Sequence, residues 1–356
     1  MAGRSTFGTV RTLSSGKHQA RYLVDGKQVS AGTFKSKREA WASLARVQVE
    51  MDSGTWVDPA LGKVNFRDHA AAVLEHRQGD LKDSTLVTYR QGLRTLVFPT
   101  FGSKALADIT VQDVDRWWSS HQHVAPARKN AYMTMRMVFR YAIRWGLVES
   151  SPCMVEDAGK DTSKPRPEFT VADFKAILAQ SDLDQGALLW TIFGGHLRIA
   201  EAAGLNRSDW HPEDGTLSVV RQYAAHGPRK LTTTKTGVQR RVKLLRPARE
   251  ALEAYLADNP GHPWDAMFTG ERGERMSTDT IRKKWNAARS AAGMDAMHVH
   301  DLRHISLTLV ARSGATLKDV MARGGHTTPD AALRYQHSGA EQDALVAAAT
   351  DQLLNN

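Results

Sequence analysis

Up to Phe34, apolar positions come in short runs broken by turn signals at Ser15-Gly16 and Asp25-Gly26. That is the pattern of a small antiparallel meander, with strands around Ala20–Val24 and Gln28–Phe34. Ser36 followed by Glu39 then predicts a capped helix, with Ala40, Leu44, Val47 and Met51 as its apolar face and Gly54 as its stop. From Val64 to about Ser151 the spacing is helical. Thr110 with Asp113 marks another capped start, followed by Val114, Trp117 and Trp118 on a buried side. The strongest helix runs through ARKNAYMTMRMVFRYAIRWG, where Met135, Val138, Ala142 and Trp145 repeat at core spacing.

Residues 151–168, SPCMVEDAGKDTSKPRPE, break the pattern with three prolines among polar residues, which predicts an extended linker. A further helix begins near Thr170, and the rest is helical except for Thr216–Val220, Arg229–Thr234 and Arg241–Leu245, which suggest one small sheet. The tail EQDALVAAATDQLLNN places Leu345, Val346, Ala349 and Leu353 on one side of a short amphipathic helix, packing on its own domain or on a neighbouring subunit. The fold class is therefore multidomain α+β. A sheet-plus-helix domain spans 1–60, an all-α domain 64–150, a linker 151–168, and a mainly-α domain with a small antiparallel sheet 169–356. A length of 356 residues fits several cores better than one.

Charge narrows the partners. Lysine and arginine total 48 against 38 acids, a formal net charge of +10, which favours a polyanion, nucleic acid first. Basic residues crowd the N-terminal sixty, so that sheet is a plausible groove reader, with a solubilising appendage as the alternative. Arg136, Arg140 and Arg144 form a stripe at every fourth residue, to be neutralised by phosphates or by solvent. The single cysteine, Cys153, excludes an internal disulfide and multi-thiolate sites. No apolar run is long enough for a membrane span and the first residues lack a signal-peptide stretch, so a cytoplasmic protein is expected.

The heptapeptide HVHDLRH, 298–304, poses the chemical question. His300 and His304 stand at i and i+4, a spacing that a metal tolerates, yet HExxH is absent and Arg303 sets a permanent charge beside any cation. No metal is expected. A phosphate suits the residues better: Arg198 and Arg303 offer forked donors for non-bridging oxygens, Tyr335 a nucleophile, and Lys235 a proton for a departing alkoxide. Singly, each has a duller explanation as a surface ion pair, a hairpin lysine or a half-buried aromatic.

Their joint order is what carries meaning. Arg198 with Glu201, then Lys235, His300-Asp301-Leu302-Arg303-His304, Gly325-His326 and Tyr335 nine positions later resemble the tyrosine recombinases, the phage integrase family, over about residues 169–340. Two positions depart from the family pattern: His196 stands where a glycine is usual and Gly324 where a leucine is usual. Residues 64–150 are similar to the family's helical core-binding domain, of SAM-like type, and 1–60 to its arm-type DNA-binding domain.

The resemblance implies a site-specific recombinase that integrates and excises phage or mobile-element DNA through a 3′-phosphotyrosine. It assigns Tyr335 as nucleophile, Lys235 as proton donor to the 5′-oxygen, and Arg198, Arg303 and His326 as phosphate ligands. His300 would assist proton transfer, Glu201 would orient the arginine, and His304 would pack behind them. Arg136, Arg140, Arg144, Arg240 and Arg241 are the expected DNA contacts. No cofactor is implied. The implied partners are double-stranded DNA at core and arm attachment sites, three further copies of the chain in a tetramer, a host DNA-bending protein and an excision factor, all at the nucleoid of a bacterial cell. A relaxing topoisomerase of the same chemistry and a catalytically silent DNA-binding regulator are the rival readings.

Overall fold

The computed structural model describes residues 7–54, 56, 58, 61–160, 167, 169–223 and 230–335, with isolated positions between 344 and 354. The chain divides into two compact units, 1–163 and 164–356. The tail helix expected after Tyr335 lies outside the described residues but for those isolated positions.

In the first unit, β1 (Thr9–Thr12), β2 (His18–Val24) and β3 (Lys27–Phe34) form an antiparallel sheet in that order, followed by α1 (Lys37–Asp52). Alternation along β2 explains the layering: Ala20 and Tyr22 point to the helix and are buried with Ala40 and Leu44. Gln19 and Arg21 take the open face, where Arg21 donates to Gln19 (3.0 Å) and Gln28 (2.8 Å), and Arg11 donates to Gln19 (2.9 Å). Ser36 and Glu39 close the expected capping box on α1.

The helices α2 (Phe66–His76), α3 (Asp83–Gly92), α4 (Phe98–Phe101), α5 (Val111–Ser120) and α6 (Ala125–Arg144) follow. A π turn, Leu93–Val97, joins α3 to α4. Their core contains Phe66, Val73, Leu93, Phe101, Trp117, Met135, Val138 and Phe139. Trp145, expected in that core, sits at the α6 C-cap, partly exposed, edge-on to His69, His76 and Tyr141, because the chain turns there at Gly146 (φ 66°). Arg136, Arg140 and Arg144 are exposed along α6.

The expected linker starts later than its composition suggests. Cys153 and Ala158 are buried in the helical core, the Val155 amide donates to Tyr132 Oη (2.9 Å), and Lys129 Nζ donates to the Gly159 carbonyl (2.6 Å). Burial pushes the Cys153 thiol up to about 12, so it behaves as a small apolar side chain.

The second unit begins with α7 (Val171–Leu178), α8 (Leu183–Gly194) and α9 (Ile199–Gly204). Among the described residues, five strands come next: β4 (Trp210–His211), β5 (Thr216–Val219), β6 (Arg221–Tyr223), β7 (Leu231–Thr233) and β8 (Arg240–Lys243). They build two sheets, β4-β5-β8 and β6-β7, in place of the single sheet expected. The reason is β6, which leaves β5 after one residue and takes β7 as its own partner, so β8 pairs with β5 alone. The unit closes with α10 (Arg246–Asp258), α11 (Thr278–Ala291), α12 (Val299–Arg312), α13 (Leu317–Gly324) and α14 (Pro329–Leu333).

Its main core gathers Phe174, Leu188, Ile192, Phe193, Leu252, Trp285, Met297 and Leu302. A smaller cluster of Leu307, Ala311, Val320, Ala332 and Tyr335 lies under α12–α14. No described helix is long and apolar enough to cross a membrane.

Trp285 is fully buried, and its indole donates to the Met297 carbonyl (3.3 Å), just before α12 begins. Trp285→Ala is expected to cost about 3–5 kcal/mol of stability. Urea unfolding of the full chain followed by circular dichroism measures it, and an unchanged midpoint would remove Trp285 as the anchor of α12.

Candidate functional site

Helix α12 carries most of the site because His300, Arg303 and His304 fall at i, i+3 and i+4, on one face. Asp301 points back instead: its carboxylate accepts from the His298 amide (2.7 Å) and caps the helix. This face opens on a cleft of about 870 Å³, also lined by Arg198, His326 and Tyr335. Five of the six side chains expected to do chemistry thus line one cavity.

Arg303 is 1% exposed, and its hydrogen bonds among the described residues go to two backbone carbonyls and to the His326 ring. One guanidinium nitrogen donates to the His196 carbonyl. The other donates to the Gly324 carbonyl and to His326 Nε2 (2.9 Å). Burial and the neighbouring Arg198 lower its pKa to about 10, so it is cationic at neutral pH.

Arg198 sits at the start of α9, with Nη1 2.7 Å from Glu201. Glu201 is fully buried and also accepts two hydrogen bonds from Arg240 (2.7 and 3.2 Å). Burial raises its pKa, but the Arg240 and Arg198 contacts overcome that and hold it at about 2. One carboxylate therefore answers three guanidinium groups around it, and the surplus positive charge faces the cleft.

The histidines report this charge. Desolvation, then repulsion from His304 and the arginines, lowers His300 to about 4. Desolvation, then Arg303, Arg198 and Arg240, lowers His326 to about 4. Both are neutral at pH 7, and a cavity that rejects protons is a poor metal site and a good anion site. The imidazoles of His300 and His304 stand edge to face at 4.8 Å.

Tyr335 follows α14, 4% exposed, its ring 5.7 Å from His326 and 5.5 Å from His304. Burial raises its phenol above the ordinary value, and Arg303 opposes that by charge and hydrogen bond. The expectation that His304 packs behind the site is corrected: it is half-buried, lines the cleft and adjoins Tyr335, because the helical offset from His300 to His304 is only about 40°.

Lys235 is not among the residues lining the cleft. It is exposed on the turn between β7 and β8, which Thr234 closes by donating to the Val238 carbonyl (2.9 Å). Thr236 ties that turn to the Gly325 carbonyl (3.4 Å), next to His326.

Arg240 was expected to contact DNA and does not face outward. Its side chain is 5% exposed, bonded to Glu201 and, through Nε, to the Arg323 carbonyl (3.0 Å). Alternation along β8 is the signal that finds it, since Arg240 shares a face with the buried Val242. Arg241 points the other way and pairs with Asp214 (2.9 Å).

Gly324, the departure from the usual leucine, has a steric cause. A Cβ there would lie 2.7 Å from the His326 ring and 3.2 Å from Arg303 Nη2. Gly325 then ends α13 in the left-handed region (φ 60°) and turns His326 toward Arg303.

Comparison with known proteins covers the whole arrangement. The phage integrase family model matches residues 170–342, the phage integrase central domain 66–155, and the phage integrase N-terminal domain 6–53. The putative prophage phiRv2 integrase of Mycobacterium tuberculosis is 31% identical over 370 residues, 99% of this chain and 97% of that protein. Among solved structures, the Tn1549 transposon integrase in complex with transposon right end DNA superposes with a TM-score of 0.67 at 19% identity, over 82% of this chain and 100% of that one. A lambda integrase tetramer bound to a Holliday junction gives 0.62 at 18% identity, over 90% and 96%. At these identities the two structures establish a shared fold.

Buried His196 and Glu201, with His300 and His326 at the cleft, set a pH dependence. His196 is lowered to about 3, and His300 and His326 to about 4, all from 6.5; Glu201 is lowered to about 2 from 4.5. The folded state thus binds fewer protons than the unfolded chain, so stability is full above pH 6.5 and falls as pH drops toward 4 and below. Thermal midpoints of the DNA-free protein should decline steadily from pH 6.5 to 4; a flat profile would contradict the neutral, positively surrounded histidines.

Proposed function

Because the chain belongs to the phage integrase family, we propose that Tyr335 is the nucleophile with which it opens one DNA strand at a time. The chain is a site-specific tyrosine recombinase, an enzyme that cuts and rejoins DNA. What supports the residue assignment is one observation: the tyrosine shares a cleft with two arginines, and the buried carboxylate paired with Arg198 is itself shared with Arg240.

In the forward step the Tyr335 oxygen bonds to the scissile phosphorus and the bond to the 5′-oxygen breaks. Arg198 and Arg303 hold the two non-bridging oxygens and stabilise the charge that builds on them. Neutral His300 takes the phenol proton, Lys235 gives a proton to the leaving 5′-oxygen, and His326 hydrogen-bonds to the phosphate. Glu201 fixes Arg198, and His304 bounds the tyrosine ring. Attack by a 5′-hydroxyl of another strand reverses the sequence, so the phosphotyrosine conserves bond energy and strand exchange needs no nucleotide hydrolysis.

The domains take separate duties in this reading. Residues 1–60 bind arm-type sites through the Arg11–Gln19–Arg21–Gln28 face, which has hydrogen-bonding capacity for base edges and phosphates. Residues 64–150 bind the core site, with exposed Arg136, Arg140 and Arg144 on backbone phosphates. The chain beyond Lys160 leads from them to the catalytic domain, 169–356. Four copies act together on attachment-site DNA, a number in keeping with the lambda integrase tetramer bound to a Holliday junction. A host DNA-bending protein and an excision factor set geometry and direction, at the bacterial nucleoid.

Replacing Tyr335 with Phe should abolish covalent protein–DNA adducts on duplexes from the chain's own attachment core, while core-site affinity changes less than about threefold. Adducts recovered from the Phe variant would show that another residue is the nucleophile. Removing residues 1–60 should leave core cleavage intact and eliminate binding to arm DNA; undiminished arm affinity, read by mobility shift, would assign that binding elsewhere.

A further inference from the structure

His196 stands two residues before Arg198, and no step above uses it. It is fully buried, yet its backbone is in the left-handed region, φ 52°, which side-chain-bearing residues rarely adopt. Something holds it there.

Both ring nitrogens are engaged. Arg323 Nε lies 2.9 Å from His196 Nε2, and Ser306 Oγ lies 2.9 Å from Nδ1. An arginine can only donate, so Nε2 accepts, and Nδ1 carries the proton and donates to Ser306. The Ser306 hydroxyl in turn donates to the Arg303 carbonyl (3.1 Å). Every donor in this relay meets an acceptor, on the condition that the ring is neutral.

The far ends of the relay are fixed as well. Arg323 Nη2 donates to the Lys243 carbonyl of β8 (3.0 Å), and the Arg323 carbonyl receives Arg240 Nε. His196 therefore joins α12, α13 and, through Arg323, β8 at the turn before Arg198. Its own carbonyl is the acceptor for one arm of the Arg303 fork. A free glycine could rotate that carbonyl away; a histidine pinned at both nitrogens cannot.

We propose that His196 is a positioning residue, a neutral clamp whose ring is held by Arg323 and Ser306 so that its carbonyl aims the Arg303 fork at the phosphate. Ring protonation would set two donors face to face at Arg323, and burial together with Arg323, Arg303 and Arg240 prevents it, lowering the pKa to about 3. The proposal rests on the assignment of Arg303 as a phosphate ligand.

The test uses the full-length protein and single-turnover cleavage of a core-site duplex, with either a normal scissile phosphate or a methylphosphonate, which lacks one anionic oxygen. His196→Gly keeps the backbone conformation accessible and removes the ring. It should cleave the normal linkage about 10- to 100-fold more slowly, with core-site Kd within about twofold. On the methylphosphonate, where a misaimed Arg303 matters less, the gap to the unsubstituted protein should shrink to within about threefold. Ser306→Ala, which cuts the relay at its other end, should show the same dependence on the linkage, and the double variant should be no slower than His196→Gly alone.

Equal slowing on both linkages, or unimpaired cleavage by His196→Gly, would overturn the clamp. Should His196→Gly fail to fold, Ser306→Ala decides by the same comparison of linkages. Failure of the unsubstituted protein to form any tyrosine adduct would instead strike the assignment of Tyr335, a result distinguishable from all of these.

Discussion

The site depends on a guanidinium that, among the described residues, is buried on backbone carbonyls and an imidazole. Taking Arg303 out of water is costly, and a cation there is normally matched by an acid. Here two backbone carbonyls, those of His196 and Gly324, and the His326 ring take three of its hydrogen bonds, and Glu201 acts on it only through charge. Nearby, Glu201 is shared between Arg198 and Arg240. The protein gathers positive charge at the cleft where we propose the phosphodiester lies, and burial followed by that charge lowers His300 and His326.

That arrangement explains several otherwise separate features. Gly324 is small because the His326 ring and Arg303 occupy the space a side chain would need. Arg240 is buried because Glu201 needs a second cation to stay ionised in the interior. The small cluster of Leu307, Ala311, Val320 and Ala332 seats Tyr335 beside the arginines. The apolar core thus has a local task, to set the height of one phenol relative to one guanidinium.

Much of this is legible in the residues themselves. Capping boxes at Ser36 and Thr110 announce their helices, and the order from Arg198 to Tyr335 gathers five of its six chemical side chains at one cleft. Sequence spacing cannot say which of two adjacent arginines turns inward, so Arg240 reads as a surface cation until the strand alternation of β8 is known. Nor does it reveal β6, three residues long, which splits the expected sheet. His196 reads only as a departure from a glycine, because its partners Ser306 and Arg323 are more than a hundred residues away. Lys235 is the converse case: its motif position is clear, while its side chain is exposed on a turn outside the cleft lining.

The central claim is that the cleft organised by Arg303 presents a single phosphodiester to Tyr335. Trapping the unsubstituted protein on a nicked core-site duplex, then digesting both components and sequencing the linked peptide by mass spectrometry, tests it directly. A 3′-phosphonucleotide on Tyr335 is the expected result. A 5′-phosphate linkage, or a nucleotide carried by any other side chain, would contradict it.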